Sequence, residues 1–196
     1  MTKRVAAESC AGAIIDVQDY FLAQLGNRPA RRRMERNLVN FARLLGYFHI
    51  PIVATLERPV HRKGSLPDAL AHALGAAKLF EKDFFDLTKE KKIRDHLARL
   101  KKKQIVVVGC ETDVCVLQSC LGLIDLRYDV FVVEDLVFSS ARNVAAAIDR
   151  MKGEGAVFLT YKTLYYELIE AVDGSRRADA IAAFGPLPDD LPDQVV

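Results

Sequence analysis

The stretch Ile105-Val-Val-Val-Gly109-Cys-Glu-Thr-Asp-Val-Cys115 is where the fold can be read. An unbroken β-branched run stops at a glycine, passes a polar turn and enters the apolar segment 114–126. Apolar runs without alternation mark strands buried on both faces, as in parallel sheets covered by helices. The spacing predicts strand, turn and helix, with Thr112 as N-cap and Cys115 in the first helical turn. First-turn N–H groups lack helical partners and, with the helix dipole, favour an anion. A thiolate at Cys115 gains from that field, and the same groups suit an oxyanion formed when sulfur attacks a carbonyl. The other reading of Cys115 is a small buried hydrophobe, a common role of free cysteines.

Working outward, similar runs occupy residues 11–15, 50–56, 130–133 and 156–160, with a weaker one at 78–80. Amphipathic segments separate them. Residues 32–47 place Met34, Leu38, Phe41 and Leu45 on one helical face, and 89–102 place Ile93, Leu97 and Leu100 likewise. Residues 140–151 read as a helix capped by Ser140, and 163–172 as a last helix. This alternation predicts an α/β fold, a parallel sheet with helices on both faces, whose ligands bind beyond the carboxyl ends of the strands. The loop signals cluster in 57–67, a candidate substrate-side loop.

The chain has 196 residues, enough for one domain, read as 1–184. The tail 185–196, with three prolines and three aspartates, reads as extended or disordered. An apolar fraction of 51% excludes a mainly disordered chain. Lys+Arg 28 against Asp+Glu 26 argues against a nucleic-acid or membrane partner. No apolar run approaches the roughly 20 residues of a membrane helix, and no signal peptide is legible. Cys110, Cys115 and Cys120 follow five-residue steps, unlike metal-binding pairs or a disulfide framework; with Cys10 they suggest reduced thiols and a cytoplasmic location. The scattered His49, His61, His72 and His96 suggest neither a Cys/His pair nor zinc, and no phosphate-binding glycine motif is present.

Two further stretches carry candidate chemistry. In Ile14-Ile-Asp16-Val-Gln-Asp-Tyr-Phe21, Asp16 follows a strand and is placed either as general base and acid or as a turn cap. In Leu79-Phe-Glu-Lys82-Asp-Phe-Phe85, Lys82 either stabilises a thiolate and orients a carboxylate or lies on the surface, its stem covering apolar area.

Together the three motifs resemble the isochorismatase-like cysteine hydrolase family, over roughly residues 11–168. Asp-Val-Gln-x-x-Phe, Phe80-Glu-Lys82-x-x-Phe85 and Gly109-Cys-Glu-Thr-Asp-Val-Cys115-Val occur in the family's order. The resemblance implies a three-layer α/β/α fold on a six-stranded parallel sheet and a catalytic triad of Asp16, Lys82 and Cys115. It also implies a cis peptide between Cys110 and Glu111, and an oxyanion hole from the N–H groups of Glu111 and Cys115. Nicotinamidases of the family carry an Asp-x-His metal set after the second strand. Here that stretch is Thr55-Leu-Glu-Arg-Pro-Val-His61, so no metal and no cofactor are expected, and the non-nicotinamidase branch fits better. Glu57 and Arg58 then either face the substrate or form a loop salt bridge. Phe21, Phe84 and Phe85 wall the pocket or pack in the core. The implied activity is hydrolysis of a small amide or related C–N bond through a thioester, by a homo-oligomer acting on a small-molecule substrate. The alternative is a catalytically silent binding module.

Overall fold

The computed structural model describes residues 3–26, 28–170, 178–179 and 182–183. Six strands, β1 (Cys10–Ile15), β2 (Ile52–Glu57), β3 (Lys78–Lys82), β4 (Gln104–Cys110), β5 (Asp129–Phe138) and β6 (Val157–Leu159), form one sheet. Its order is β3-β2-β1-β4-β5-β6 and every pairing is parallel.

Alternate residues of the central strands feed two separate cores. Ile14, Val106, Val108, Phe131 and Val133 pack with Leu38, Phe41, Leu45, Leu164 and Tyr165 of α2 (Arg28–Tyr47) and α8 (Tyr161–Ile169). Ala13, Ile15, Val107, Val130 and Val132 face the other way, onto α5 (Lys91–Leu100), α6 (Leu117–Asp125) and α7 (Ala145–Gly153). Burial on both faces is why these strands lack a polar alternation. Among the described residues there are also three short α-helices, α1 (Asp19–Leu22), α3 (Val60–Lys63) and α4 (Asp68–Leu74). The three-layer fold on six parallel strands is the one expected.

The chain lays β2 and β3 on one side of β1 and then returns to lay β4 on the other. The crevice at the carboxyl ends of β1 and β4 is therefore the topological switch point, where such sheets bind ligands. Gly109 lies there with φ +119°, and a Cβ on it would run into the backbone carbonyl of Ile15.

Several local expectations are corrected. Thr112 is not an α-helical N-cap. Residues Thr112–Val116 form a wider π-type turn in which the N–H groups of Val114 and Val116 both donate to Glu111 O, and α6 begins only at Leu117. Ser140 does not cap α7, which starts at Ala145; its N–H donates to Glu111 Oε1 (3.1 Å) while Ser139 Oγ donates to Asp113 Oδ1 (2.6 Å). Both serines thus brace the turn after β4. The loop 57–67 contains α3, and α4 follows it. The helix expected over 163–172 runs instead from Tyr161 to Ile169, and the Thr160 hydroxyl caps it by accepting from the Thr163 N–H (3.2 Å). The expected tail, 185–196, lies outside the described residues.

Candidate active site

Four adjacent strands bring their carboxyl ends to one point. Lys82 ends β3, and its register partner Glu57 ends β2. Asp16 follows β1 directly, and Cys110 ends β4 just before the turn that carries Cys115. The Cys110–Glu111 peptide is cis, as is Arg58–Pro59.

Asp16 has φ 51°, a left-handed conformation that aspartate tolerates better than most residues. Its N–H donates to Thr55 O (3.1 Å), and Thr55 Oγ1 donates to Asp16 Oδ1 (2.8 Å). The other carboxylate oxygen lies 2.7 Å from Lys82 Nζ, and both side chains are fully buried. Lys82 also donates to Phe84 O (3.1 Å) and to Cys115 Sγ (3.4 Å), and lies 3.8 Å from Glu57 Oε2. The Cys115 thiol donates to Glu57 Oε2 (2.9 Å), while Glu57 Oε1 is paired with Lys63 at the end of α3.

The electrostatics follow from this packing. Burial pushes the Asp16 carboxyl up, against the pull of the Lys82 ammonium and the Thr55 hydroxyl. Burial opposes the charge on Lys82, but Asp16 and its other neighbours outweigh it and raise its pKa. Burial also opposes ionisation of Glu57; the bond from Cys115 and the ammonium groups of Lys63 and Lys82 prevail and hold that carboxyl low. The Cys115 thiol is pushed well up, by burial first and then by Asp16, with Lys82 opposing. This reverses the thiolate stabilisation expected from a helical first turn: desolvation and two carboxylates outweigh one ammonium.

Ligand atoms of Asp16, Glu57 and Cys115 lie within 4.8 Å of one another, a grouping that could hold a cation. Lys82 Nζ stands 2.7, 3.8 and 3.4 Å from those three residues, so the ammonium already takes the cation's place.

The structure thus brings Asp16, Lys82, Cys115 and Glu57 together, and the turn carrying Cys115 closes on the carbonyl of Glu111. Arg58 turns away and pairs with Glu81 (2.9 Å) and Asp83 (2.8 Å) at the surface. Phe21 is buried and its ring lies 5.6 Å from Lys63 Nζ. Phe84 and Phe85 are 53% and 55% exposed, so neither packs in the core. Their carbonyls are engaged instead, Phe84 by Lys82 and Phe85 by Ser119 Oγ (3.2 Å).

Sequence reasoning assigned no role to Gln18, Thr55 or Lys63. Gln18 is buried, accepts from Glu57 N (2.7 Å) and donates to Glu57 O (3.2 Å) and Gly64 O (2.8 Å), clamping β2 and the α3 loop to the end of β1. The signal that could have found it is its place in the Asp-Val-Gln motif, two residues past Asp16.

Comparison with known proteins agrees with this architecture. The chain is similar to the secreted isochorismatase effector Isc1 of Phytophthora sojae (strain P6497), 31% identical over 170 residues, 84% of this chain and 79% of that protein. It is also similar to isochorismatase family protein 1A of Dictyostelium discoideum, 29% identical over 151 residues, 69% of this chain and 73% of that protein. The fold matches the Escherichia coli YcaC gene product, described as an octameric hydrolase of unknown specificity, with a TM-score of 0.85 at 23% identity over 94% of this chain and 92% of that one. An isochorismatase domain model matches residues 11–163, and the chain therefore belongs to the isochorismatase-like hydrolase family.

Proposed function

We propose that the protein is a metal-independent cysteine hydrolase that cleaves a small amide or related C–N bond through a thioester on Cys115. The observation that carries this reading is an ion pair set against the sulfur: Lys82 Nζ lies 3.4 Å from Cys115 Sγ and 2.7 Å from Asp16 Oδ2.

In this mechanism the thiol proton passes to Asp16 as the sulfur attacks the carbonyl carbon. The C=O π pair moves to oxygen, facing the N–H groups of Glu111 and Cys115. As the tetrahedral adduct collapses, the C–N bond breaks and Asp16 returns the proton to the leaving nitrogen. Water then adds to the thioester, giving its proton to Asp16, and the departing sulfur takes that proton back as the carboxylic acid leaves. A carboxyl held above its ordinary range suits a group that stores and returns a proton. Lys82 orients Asp16, offsets charge on sulfur and fills the position a cation would need.

Ammonia release from a panel of small amides tests the mechanism. Cys115→Ala is expected to abolish the acyl adduct seen by intact mass and to lower turnover roughly a thousandfold or more; undiminished turnover would sink the reading. A second reading, a silent binding module, is favoured by the 2% exposure of Cys115 and its strongly raised thiol. A folded protein whose Cys115 takes no adduct from any amide supports that alternative.

We further propose that the protein is a homo-oligomer. This is supported by the octamer described for the YcaC protein of like fold and by the exposed Phe84 and Phe85 beside Lys82. Four free, buried cysteines suit a reducing cytoplasm. No helix among the described residues is long and apolar enough to cross a membrane.

A further inference from the structure

Glu57 touches the nucleophile, yet the triad mechanism does not use it. Its carboxylate is ionised, held by Lys63 on one oxygen and by the Cys115 thiol, 2.9 Å away, on the other. Asp16, Lys82, Cys115 and Glu57 are all buried, so a group bound against the sulfur meets Glu57 with little water between them. Gln18 grips both the N–H and the carbonyl of Glu57, so its backbone cannot drift away from the sulfur. A carboxylate only accepts hydrogen bonds, and an acceptor this close to the reacting atom constrains what can be bound there.

We propose that Glu57 determines specificity: its Oε2 accepts an N–H carried on the scissile carbon, so the site takes neutral or cationic amide and ureido groups and rejects substrates with an anionic group beside the reacting carbon. This rests on the reading of Cys115 as the nucleophile. It also couples binding to chemistry. In the resting site the thiol donates to Glu57; a substrate N–H that takes over this acceptor frees the thiol to donate to Asp16, the base that the mechanism requires. A carboxylate in the same place meets Glu57 Oε2 with no hydrogen to share, and like charges repel across a poorly solvated gap.

The test needs no known substrate. Iodoacetamide and iodoacetate share a leaving group and nearly a shape, but one presents N–H groups and the other a carboxylate. Their rates of Cys115 alkylation are measured by peptide mapping, each normalised to glutathione at the same pH. The wild-type protein is expected to favour iodoacetamide by about tenfold or more. In Glu57→Gln the ratio is expected to fall towards one, whatever happens to the absolute rates. Glu57→Asp keeps the charge and is expected to keep the preference, and the wild-type ratio is informative even if Glu57→Gln fails to fold. Equal normalised rates in the wild type, a preference for iodoacetate, or a ratio unchanged in Glu57→Gln overturns the role of Glu57 while leaving Cys115 reactive. A Cys115 that takes neither reagent in the folded protein overturns the nucleophile reading, and this inference with it.

Discussion

At the scale of single residues, the Cys115 thiol lies between an ammonium and two carboxylates, and its ionisation follows from their balance with burial. Desolvation and Asp16 raise its pKa and Lys82 lowers it, with a net upward shift. The proton is therefore held across neutral pH. Alkylation by iodoacetamide is expected to keep rising with pH through 9 and beyond, where a free cysteine of pKa about 8.5 is already levelling off. A plateau reached below pH 8 would show instead that Lys82 dominates. Asp16 and Lys82 were legible in the sequence because each closes or follows an apolar run, which places it at a strand end, and Cys115 because it lies in the turn after such a run. Glu57 and Arg58 could not be separated that way, since adjacent residues at a strand end point to opposite sides; only the fold shows that Glu57 faces the sulfur and Arg58 the solvent. Lys63 was invisible for a plainer reason: one lysine among 28 basic residues carries no positional signal until α3 folds it back over Glu57.

At the scale of elements, β4 is fitted against β1 by a residue with no side chain. Gly109 lies in a left-handed region, and a Cβ there collides with the main chain of Ile15, next to Asp16, with no flexible side chain to give way. Gly109→Ala is expected to destabilise by roughly 2–4 kcal/mol and to lower Tm by about 5–10 °C. Activity should fall further than stability, because the displaced backbone carries the base. Gly153→Ala is the control: a Cβ there meets nothing, and a neutral or slightly raised Tm is expected in the same melt. Equal Tm values for the two variants would count against the close approach. The buried strands were legible from composition, and β3 only faintly, because it is an edge strand with most of its residues at least partly exposed. The start of α7 was misread because Ser140 looks like a helix cap in isolation, whereas its N–H is claimed by a carboxylate 29 residues earlier. The π-type turn has no distinctive composition, since it is shaped by the strand end it leaves.

At the scale of the whole molecule, the exposed Phe84 and Phe85 leave apolar surface beside the site, and the homo-oligomer reading assigns that surface to a second copy. Light scattering behind size-exclusion chromatography is expected to give a mass several times that of one chain, shifted towards the monomer by Phe84→Ser with Phe85→Ser. A wild-type monomer at micromolar concentration would refute it. The layer order of the fold was legible because helix and strand periods alternate along the chain. The exposure of Phe84 and Phe85 was not, because in a sequence an exposed phenylalanine reads like a core one. The sheet order has a last consequence. Lys82, Glu57 and Asp16 stand at or just past the ends of three neighbouring strands, whose separation of about 4.8 Å is fixed by main-chain hydrogen bonds common to all sequences. The backbone ladder thus serves as a gauge block for the charges around the sulfur: it sets how far apart two carboxylates and one ammonium stand before any side chain of the helical coats is chosen.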